Sequence, residues 1–505
     1  MQHRYTIRTM LGLLSLAIVG GVSLAGFNLQ PATGQETQPT VSSPGSAQAM
    51  YLPLVYNNPT TVFGIEMGPI TNNAGLELVD QANISWVRKN ALLWSDVQST
   101  KEGGYDWTTQ QDLEQHLINA RRSNLEVVLV VRSTPSWAQL IPGKSCGPIK
   151  YEELSAFGDF LYEAVKRYSV GPYYVRYWQI WNEPDVDWRY MSGDNPYGCW
   201  AYGADDNSYY DILFGGEYFG GEYYGDVLAN VYPRMKAANP NIQVLVGGLL
   251  FHCNYDLQHC YEKSVAPRYI EGIIYRHGYM DGANYFDGVG FHAYDDYRAE
   301  KVPNETVYFA YGNVGWGNYS LNGDGPVVHK KASYLKRVLA SYGVNGKFLM
   351  ATETSLRYCQ NPDDPEVPYF PETKSYYVAQ LYGATIAEGL KAALWYDLIG
   401  GWCNVNLLNS DLSTTPAYQA YSFARKELVN AAYLGPVNEF PDVLGYKFNR
   451  KGTTIWLLWS QPDAAPSINL PAVPVKAYDV YGNALTIAST DLQVTTMPVY
   501  LEGLP

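Results

Sequence analysis

Charge is scarce in this chain: Asp, Glu, Lys and Arg make up only 17% of its 505 residues, where about a quarter is usual. Basic residues are the scarcer kind, 35 against 49 acidic, so the formal charge is −14. Phosphate backbones and anionic surfaces are recognised by clustered Lys and Arg. No such cluster occurs, which excludes nucleic acid as a partner and leaves no membrane contact beyond what the N-terminus supplies. A glycine-rich phosphate fingerprint is also missing, since the first strand-like run reads Val62-Phe63-Gly64-Ile65-Glu66-Met67-Gly68. An open, doubly wound nucleotide-binding sheet would carry such a fingerprint there. No internal repeat is present, and nothing in the chain calls for a cofactor.

Against these absences stand 45 Tyr and 13 Trp. Their rings combine apolar faces with polar edges; most belong to the core, and the remainder suit an extracellular surface that meets sugars. His3, Arg4 and Arg8 precede an uncharged apolar run from Leu11 to Phe27, the pattern of a secretory signal peptide spanning about residues 1–25. An uncleaved N-terminal anchor is the alternative. From Gln30 to Ala49 the chain is Gln, Pro, Thr, Ser, Gly and Ala with almost no charge, a linker composition that buries no core. Tyr51 to Tyr56 has strand character, so residues 26–58 read as linker plus one strand-like segment.

Six cysteines, an even number, suit disulfides in an exported protein. Cys253 with Cys260 closes the shortest loop; Cys146 with Cys199 and Cys359 with Cys403 would each tie loops at one end of the fold. The segment His252-Cys253 to His259-Cys260 also admits a two-His, two-Cys metal reading, which adjacent His-Cys pairs, aimed in different directions, disfavour.

β-rich apolar runs recur at Val62–Ile65, Ile84–Arg88, Glu126–Arg132, Tyr177–Trp181, Ile242–Gly247, Phe286–His292, Lys347–Glu353 and Ala392–Tyr396. Helical patterns lie between them, at Gln110–Arg122, Glu152–Tyr168, Gly225–Ala238, Ala266–His277, Val328–Tyr342 and Thr373–Glu388, and Pro416–Ala432 completes the last unit. Eight strand-helix units close as an α/β (β/α)8 TIM barrel, expected over residues 59–432. Short alternating segments after Tyr433 predict a small β-sandwich domain over 433–505. The stretches Asp185–Gly225 and Asp295–Gly325 read as long loops that wall the barrel mouth, favouring a pocket for terminal sugars over an open cleft, with a covered cleft built of the same material as the alternative. The near-repeat from Gly215 to Glu222 reads as a turn into a helix.

Barrel active sites gather at the carboxyl ends of strands. Glu183, in Trp181-Asn182-Glu183-Pro184, ends the fourth strand, and Glu353, in Ala351-Thr352-Glu353-Thr354, ends the seventh. Two carboxyls facing one pit are the minimum equipment of a glycosidase, one attacking the anomeric carbon and one protonating the departing oxygen. On these motifs the chain resembles a retaining glycoside hydrolase of clan A, nearest in appearance to family 39 and related β-xylosidase-like families, across about Val62 to Ala432.

The resemblance implies Glu183 as acid/base, Glu353 as nucleophile, and Asn182 as the group that reads a sugar 2-hydroxyl. Arg88 matches an arginine that keeps the nucleophile ionised. His292 and Tyr294, in His292-Ala293-Tyr294, match a His-x-Tyr element in which the tyrosine orients Glu353, and Trp395 matches the floor beneath the reacting sugar. Trp137 and Trp188 are candidate subsite walls, and Glu66 is a candidate hydroxyl ligand or a solvated loop residue. The expected partner is an oligosaccharide or polysaccharide, with no metal. A non-catalytic secreted carbohydrate-binding protein, or a transglycosylase using the same residues, are the alternatives.

Overall fold

The computed structural model describes residues 61–186, 198–201, 218–251, 265–302, 305–360, 369–462 and 464–505. The N-terminal segment, Trp188, the Cys253–Cys260 pair and the His252–Cys260 metal reading lie outside them.

Eight parallel strands close the barrel: β1 (Phe63–Glu66), β2 (Trp86–Leu93), β3 (Glu126–Arg132), β4 (Tyr177–Asn182), β5 (Gln243–Leu249), β6 (Gly288–Val302), β9 (Phe348–Arg357) and β10 (Ala393–Trp395). Their order is β5-β4-β3-β2-β1-β10-β9-β6, and a β5–β6 pairing completes the ring. The helices that follow them are α1 (Leu76–Gln81), α2 (Gln111–Arg122), α3 (Leu154–Tyr168), α4 (Gly221–Ala238), α5 (Val265–Tyr275), α6 (Val327–Ser341), α7 (Phe370–Ala387) and α8 (Pro416–Leu428).

Two-residue alternation divides the strand side chains. Trp86, Val128, Tyr177, Leu245, Met350, Ala392 and Leu394 fill the barrel interior, while Phe63, Ile65, Val87, Leu129, Ile180, Val289, Phe291, Ala351 and Ala393 join the larger core toward the helices. This is the layered packing of a filled barrel.

Several elements outrun their sequence signals. β6 and β9 continue past the expected ends at His292 and Glu353, and Asp295–Gly325 is largely a hairpin rather than a loop. There β6 pairs antiparallel with β7 (Glu305–Asn313), which pairs with the short β8 (Asn318–Tyr319). Aromatic residues such as Tyr297 and Tyr311 supply the strand propensity. α8 stops at Leu428, and Ala432 opens a new strand.

The C-terminal domain is antiparallel. Five strands, β11 (Ala432–Pro436), β12 (Val443–Arg450), β13 (Thr453–Ser460), β17 (Val499–Glu502) and β15 (Lys476–Tyr478), are ordered β11-β12-β13-β17-β15, beside a two-stranded sheet of β14 (Ser467–Asn469) and β16 (Asp491–Gln493). Trp456, Leu458 and Leu501 face Ile468, Leu470 and Val494 in one small core, while Phe448, Ile455, Leu457 and Tyr500 join the barrel's outer core. Phe423 of α8 packs edge to face on Tyr500 at 5.3 Å, and Arg450 bridges Glu427 and Glu502. The sheet therefore braces the helix that closes the barrel.

Candidate active site

Arg88 stands two residues beyond Trp86 and so points into the barrel. It is fully buried, where a guanidinium must be paired, and four side chains from three strands converge on it. Nη1 binds Glu66 at the end of β1 and reaches Glu353 Oε1 at 2.5 Å; Nη2 donates to Asn182 Oδ1, and Nε to Gln179 Oε1 at 3.4 Å. Glu66 is thus an ion-pair partner near the barrel axis.

Two local departures from strand regularity bring the carboxyls inward. On β9, Ala351 pairs with Phe291 but Glu353 with His292, so one extra residue is inserted. The pairing with β10 shifts over the same residues. Met350 points in; strict alternation would turn Glu353 out, and the bulge turns it back. On β4, Gln179 points in, but Trp181 adopts a left-handed φ of 73° and Glu183 one of 47°. Trp181 consequently packs outward against Trp200 at 4.8 Å, and Asn182 and Glu183 take the mouth. Such backbone conformations are costly for bulky residues and gather at functional sites.

The turn that carries Glu183 is fastened on every side. Glu183 N donates to Gly248 O at 3.0 Å, Trp200 N to Pro184 O at 3.1 Å, and Trp181 Nε1 to Cys146 O at 3.0 Å. The Cys146–Cys199 disulfide links the segments after β3 and β4 across this turn. Asp185 accepts from Leu250 N at 2.9 Å and Phe251 N at 2.8 Å, joining the ends of β4 and β5. Gly248 has a steric role as well: a Cβ there would stand 2.2 Å from His292 Nε2.

Glu183 and Glu353 are 5% and 6% exposed. His292 sits between them, Nδ1 lying 2.8 Å from Glu183 Oε1 and 3.3 Å from Glu353 Oε2. Tyr294 donates to Glu353 Oε2 at 2.5 Å. One donor atom from each of Glu183, His292 and Glu353 lies within 4.8 Å of the others. That donor set has the composition of a metal site, but the Arg88 guanidinium already supplies a fixed positive charge against Glu353, which opposes a cation there.

The two carboxyls are held differently. Burial, then the charges of Glu353 and Asp185, push Glu183 well above the ordinary carboxylate range. Burial also raises Glu353, to about 7, against the pull of Arg88 and the Tyr294 hydrogen bond. Burial, with Arg88 and Lys331 nearby, pushes His292 well below its usual value, so the ring is neutral. Its Nε2 has no partner among the described residues; a proton there would be an unpaired buried donor, at about 1–3 kcal/mol, which favours the tautomer with the proton on Nδ1, facing the carboxyls.

Some contributors carry no motif in the sequence. Lys331 of α6 is 2% exposed and donates to Leu250 O and His292 O, each at 2.8 Å; in sequence it reads as one more helical lysine. Trp395 is placed differently from expectation. It is fully buried, its indole donates to Val405 O at 2.8 Å, and it belongs to the core toward the helices. Since Ala392 and Leu394 face inward, the next inward position is Tyr396, whose ring lies 6.2 Å from Tyr294. Trp395 is therefore a core residue, and Tyr396 takes the next inward position. Trp137 is half-buried, packing edge to face on Trp94 at 5.2 Å and donating to Gln98 O at 3.1 Å.

No protein-family model and no curated protein matches the sequence. Solved structures do match. A family 39 glycoside hydrolase from the gut symbiont Bacteroides cellulosilyticus WH2 is 18% identical, covering 88% of this chain and 81% of that one with a TM-score of 0.61. A family 30 endoxylanase from Clostridium papyrosolvens C71 is 10% identical, covering 89% and 97% with a TM-score of 0.52. An α-L-arabinofuranosidase from Thermotoga maritima, solved with arabinose, is 11% identical, covering 88% and 97% with a TM-score of 0.51. The chain thus shares its barrel fold with clan A glycoside hydrolases, as the Asn-Glu-Pro and Glu353 motifs lead one to expect.

Proposed function

We propose that this protein is an exported retaining glycoside hydrolase that cleaves O-glycosidic bonds by double displacement, with Glu353 as nucleophile and Glu183 as acid/base. The observation that carries the reading is the carboxyl pair, whose nearest oxygens fall within the 4.8 Å of the Glu183–His292–Glu353 cluster. Retaining enzymes hold the two groups about 5 to 5.5 Å apart, whereas inverting ones leave about 6.5 to 9.5 Å for a water. The family names of the fold's neighbours point the same way.

The environments distribute the roles. Arg88 and Tyr294 favour the charged form of Glu353, which can then attack the anomeric carbon. Glu183 has no Lys or Arg in ion-pair range among the described residues, and burial with the charges of Glu353 and Asp185 outweighs the more distant Arg88 and Lys331, so it retains its proton. With the His292 proton on Nδ1 and directed at Glu183 Oε1, the acidic proton belongs on Oε2, the oxygen left to meet the departing group. Asn182 commits its carbonyl to Arg88, leaving its NH2 as the donor for a sugar hydroxyl. Once Glu353 becomes a glycosyl ester its negative charge is gone, and with it the second largest cause of the raised Glu183 pKa. Glu183 then serves as the base that deprotonates the incoming water.

Export rests on the N-terminal apolar run and on the disulfides Cys146–Cys199 and Cys359–Cys403, which persist in oxidising compartments. Among the described residues no helix is long and apolar enough to cross a membrane.

The test is a panel of 4-nitrophenyl β-xyloside, β-glucoside and α-arabinofuranoside, assayed with wild type, Glu353→Gln and Glu183→Ala. Both variants should lose at least about 1,000-fold, and proton NMR of the first product should show retained anomeric configuration. Full activity in both variants, or an inverted product, would overturn the assignment.

A further inference from the structure

Trp402 follows β10 in the short helical turn Trp402–Asn404 and is 39% exposed, an unusual state for an indole beside a buried site. Its ring lies 5.4 Å from Tyr294, the tyrosine bound to Glu353, and 5.6 Å from Tyr396, nearly perpendicular to both. The Arg357 guanidinium, paired with Asp296, is 5.9 Å from the same ring.

The turn beneath Trp402 is tied down heavily. Cys403 bonds to Cys359 at the end of β9, and Tyr358 N donates to Cys403 O at 2.8 Å. Asn404 Nδ2 donates to Tyr358 O and Gln360 O, and Lys374 Nζ to Asn404 O at 2.9 Å. Cys403 and Asn404 are both left-handed, with φ of 45° and 56°, a conformation that costs free energy and survives only where its surroundings impose it. These fastenings hold one partly exposed aromatic ring in a fixed place at the mouth.

We infer that Trp402 is a substrate-binding residue that packs its ring against the glycone, the sugar portion retained on Glu353, and so helps to set which sugar is accepted. The inference rests on the glycosidase reading and extends it. The leaving group departs toward Glu183 on β4, so the opposite wall, formed by Glu353, Tyr294, Tyr396 and the residues after β10, borders the glycone. An indole offers an apolar face to the C–H groups of a sugar ring.

The experiment uses the full chain and the sugar that wild type cleaves fastest in the aryl-glycoside panel, presented as its 2,4-dinitrophenyl, 4-nitrophenyl and 3,4-dimethylphenyl glycosides. Trp402→Ala should lower kcat/KM about 10-fold or more, by nearly the same factor for all three leaving groups, and Trp402→Phe should stay within about threefold of wild type. Unchanged kcat/KM in Trp402→Ala, or a loss that varies with the leaving group, overturns the inference. A measurement on the unsubstituted protein guards against misfolding: hydroxyl-radical oxidation of Trp402 should fall when Glu353 carries a 2-deoxy-2-fluoroglycosyl group of the same sugar, and undiminished oxidation overturns the inference. A wild type that cleaves no glycoside defeats the underlying glycosidase reading, whereas an active enzyme indifferent to Trp402 defeats this inference alone.

Discussion

Arg88 holds Glu353 by a charged hydrogen bond of 2.5 Å, while the ion-pair-range partner of Glu183 among the described residues is the neutral His292. The two carboxyls therefore share burial and differ in compensation, the difference on which the proposed roles of Glu353 as nucleophile and Glu183 as acid rest.

Replacing Arg88 by Lys keeps a positive charge but loses the planar fork that serves Glu66, Glu353, Gln179 and Asn182 together. Arg88 lowers the Glu353 pKa, so weakening the contact raises it, and a higher pH is then needed to ionise the nucleophile. The acidic limb of the kcat/KM profile should move to higher pH, and kcat/KM near neutrality should fall about 100-fold or more. An unmoved acidic limb would separate Arg88 from the ionisation of Glu353.

Tyr294→Phe removes one hydrogen bond to Glu353 and little volume. Hydrogen bonds to charged groups contribute about 1.5–3 kcal/mol, so kcat/KM should drop about 10- to 100-fold. Because the lost bond favours the ionised carboxylate, the acidic limb again moves upward, by less than with Arg88→Lys. Steady-state rates across pH check both the size and the order.

Glu183→Gln should be inactive toward poor leaving groups and yet more stable than wild type at alkaline pH. The folded-state pKa of Glu183 is raised above its ordinary value near 4.5, so the folded protein binds the proton more tightly than the unfolded chain. The stability this contributes is complete at low pH and is lost as pH rises through the folded value. The amide has nothing to ionise. The Tm of Glu183→Gln minus that of wild type should therefore grow from pH 5 to pH 9, and a constant difference would show that the acid is not perturbed.

Lys331→Met should destabilise the fold by about 1–3 kcal/mol, because the buried carbonyls of Leu250 and His292 lose their side-chain donor. Urea unfolding gives the cost. Since His292 is held through its own backbone, kcat should fall in the folded fraction while KM changes little.

Much of the barrel is legible in the sequence because its strands are apolar and its breaks are polar. The same rule explains the errors. Polar residues at the barrel mouth look like strand ends, yet β9 runs four residues past Glu353, to Arg357, since a barrel mouth tolerates polar side chains that pair with each other. The carboxyl pair is visible because Asn-Glu-Pro and Thr-Glu-Thr interrupt apolar runs. Lys331 is not, because a buried lysine is marked by its acceptors, and these belong to other segments. Trp395 draws attention by residue type, whereas alternation from Ala392 and Leu394 selects Tyr396.

The inserted residue in β9 has a consequence for how such a site varies. Both neighbouring strands shift register over the same short stretch, so the inward aim of Glu353 depends on a residue count as well as on residue identity. With Thr352 kept, a strand that lost the bulge would preserve the hydropathy and the glutamate and would turn the carboxyl toward the helices, whereas with Thr352 deleted plain alternation from Met350 would aim it inward without a bulge. The inward aim of Glu353 therefore rests on Thr352 and the bulge together, each offsetting the other.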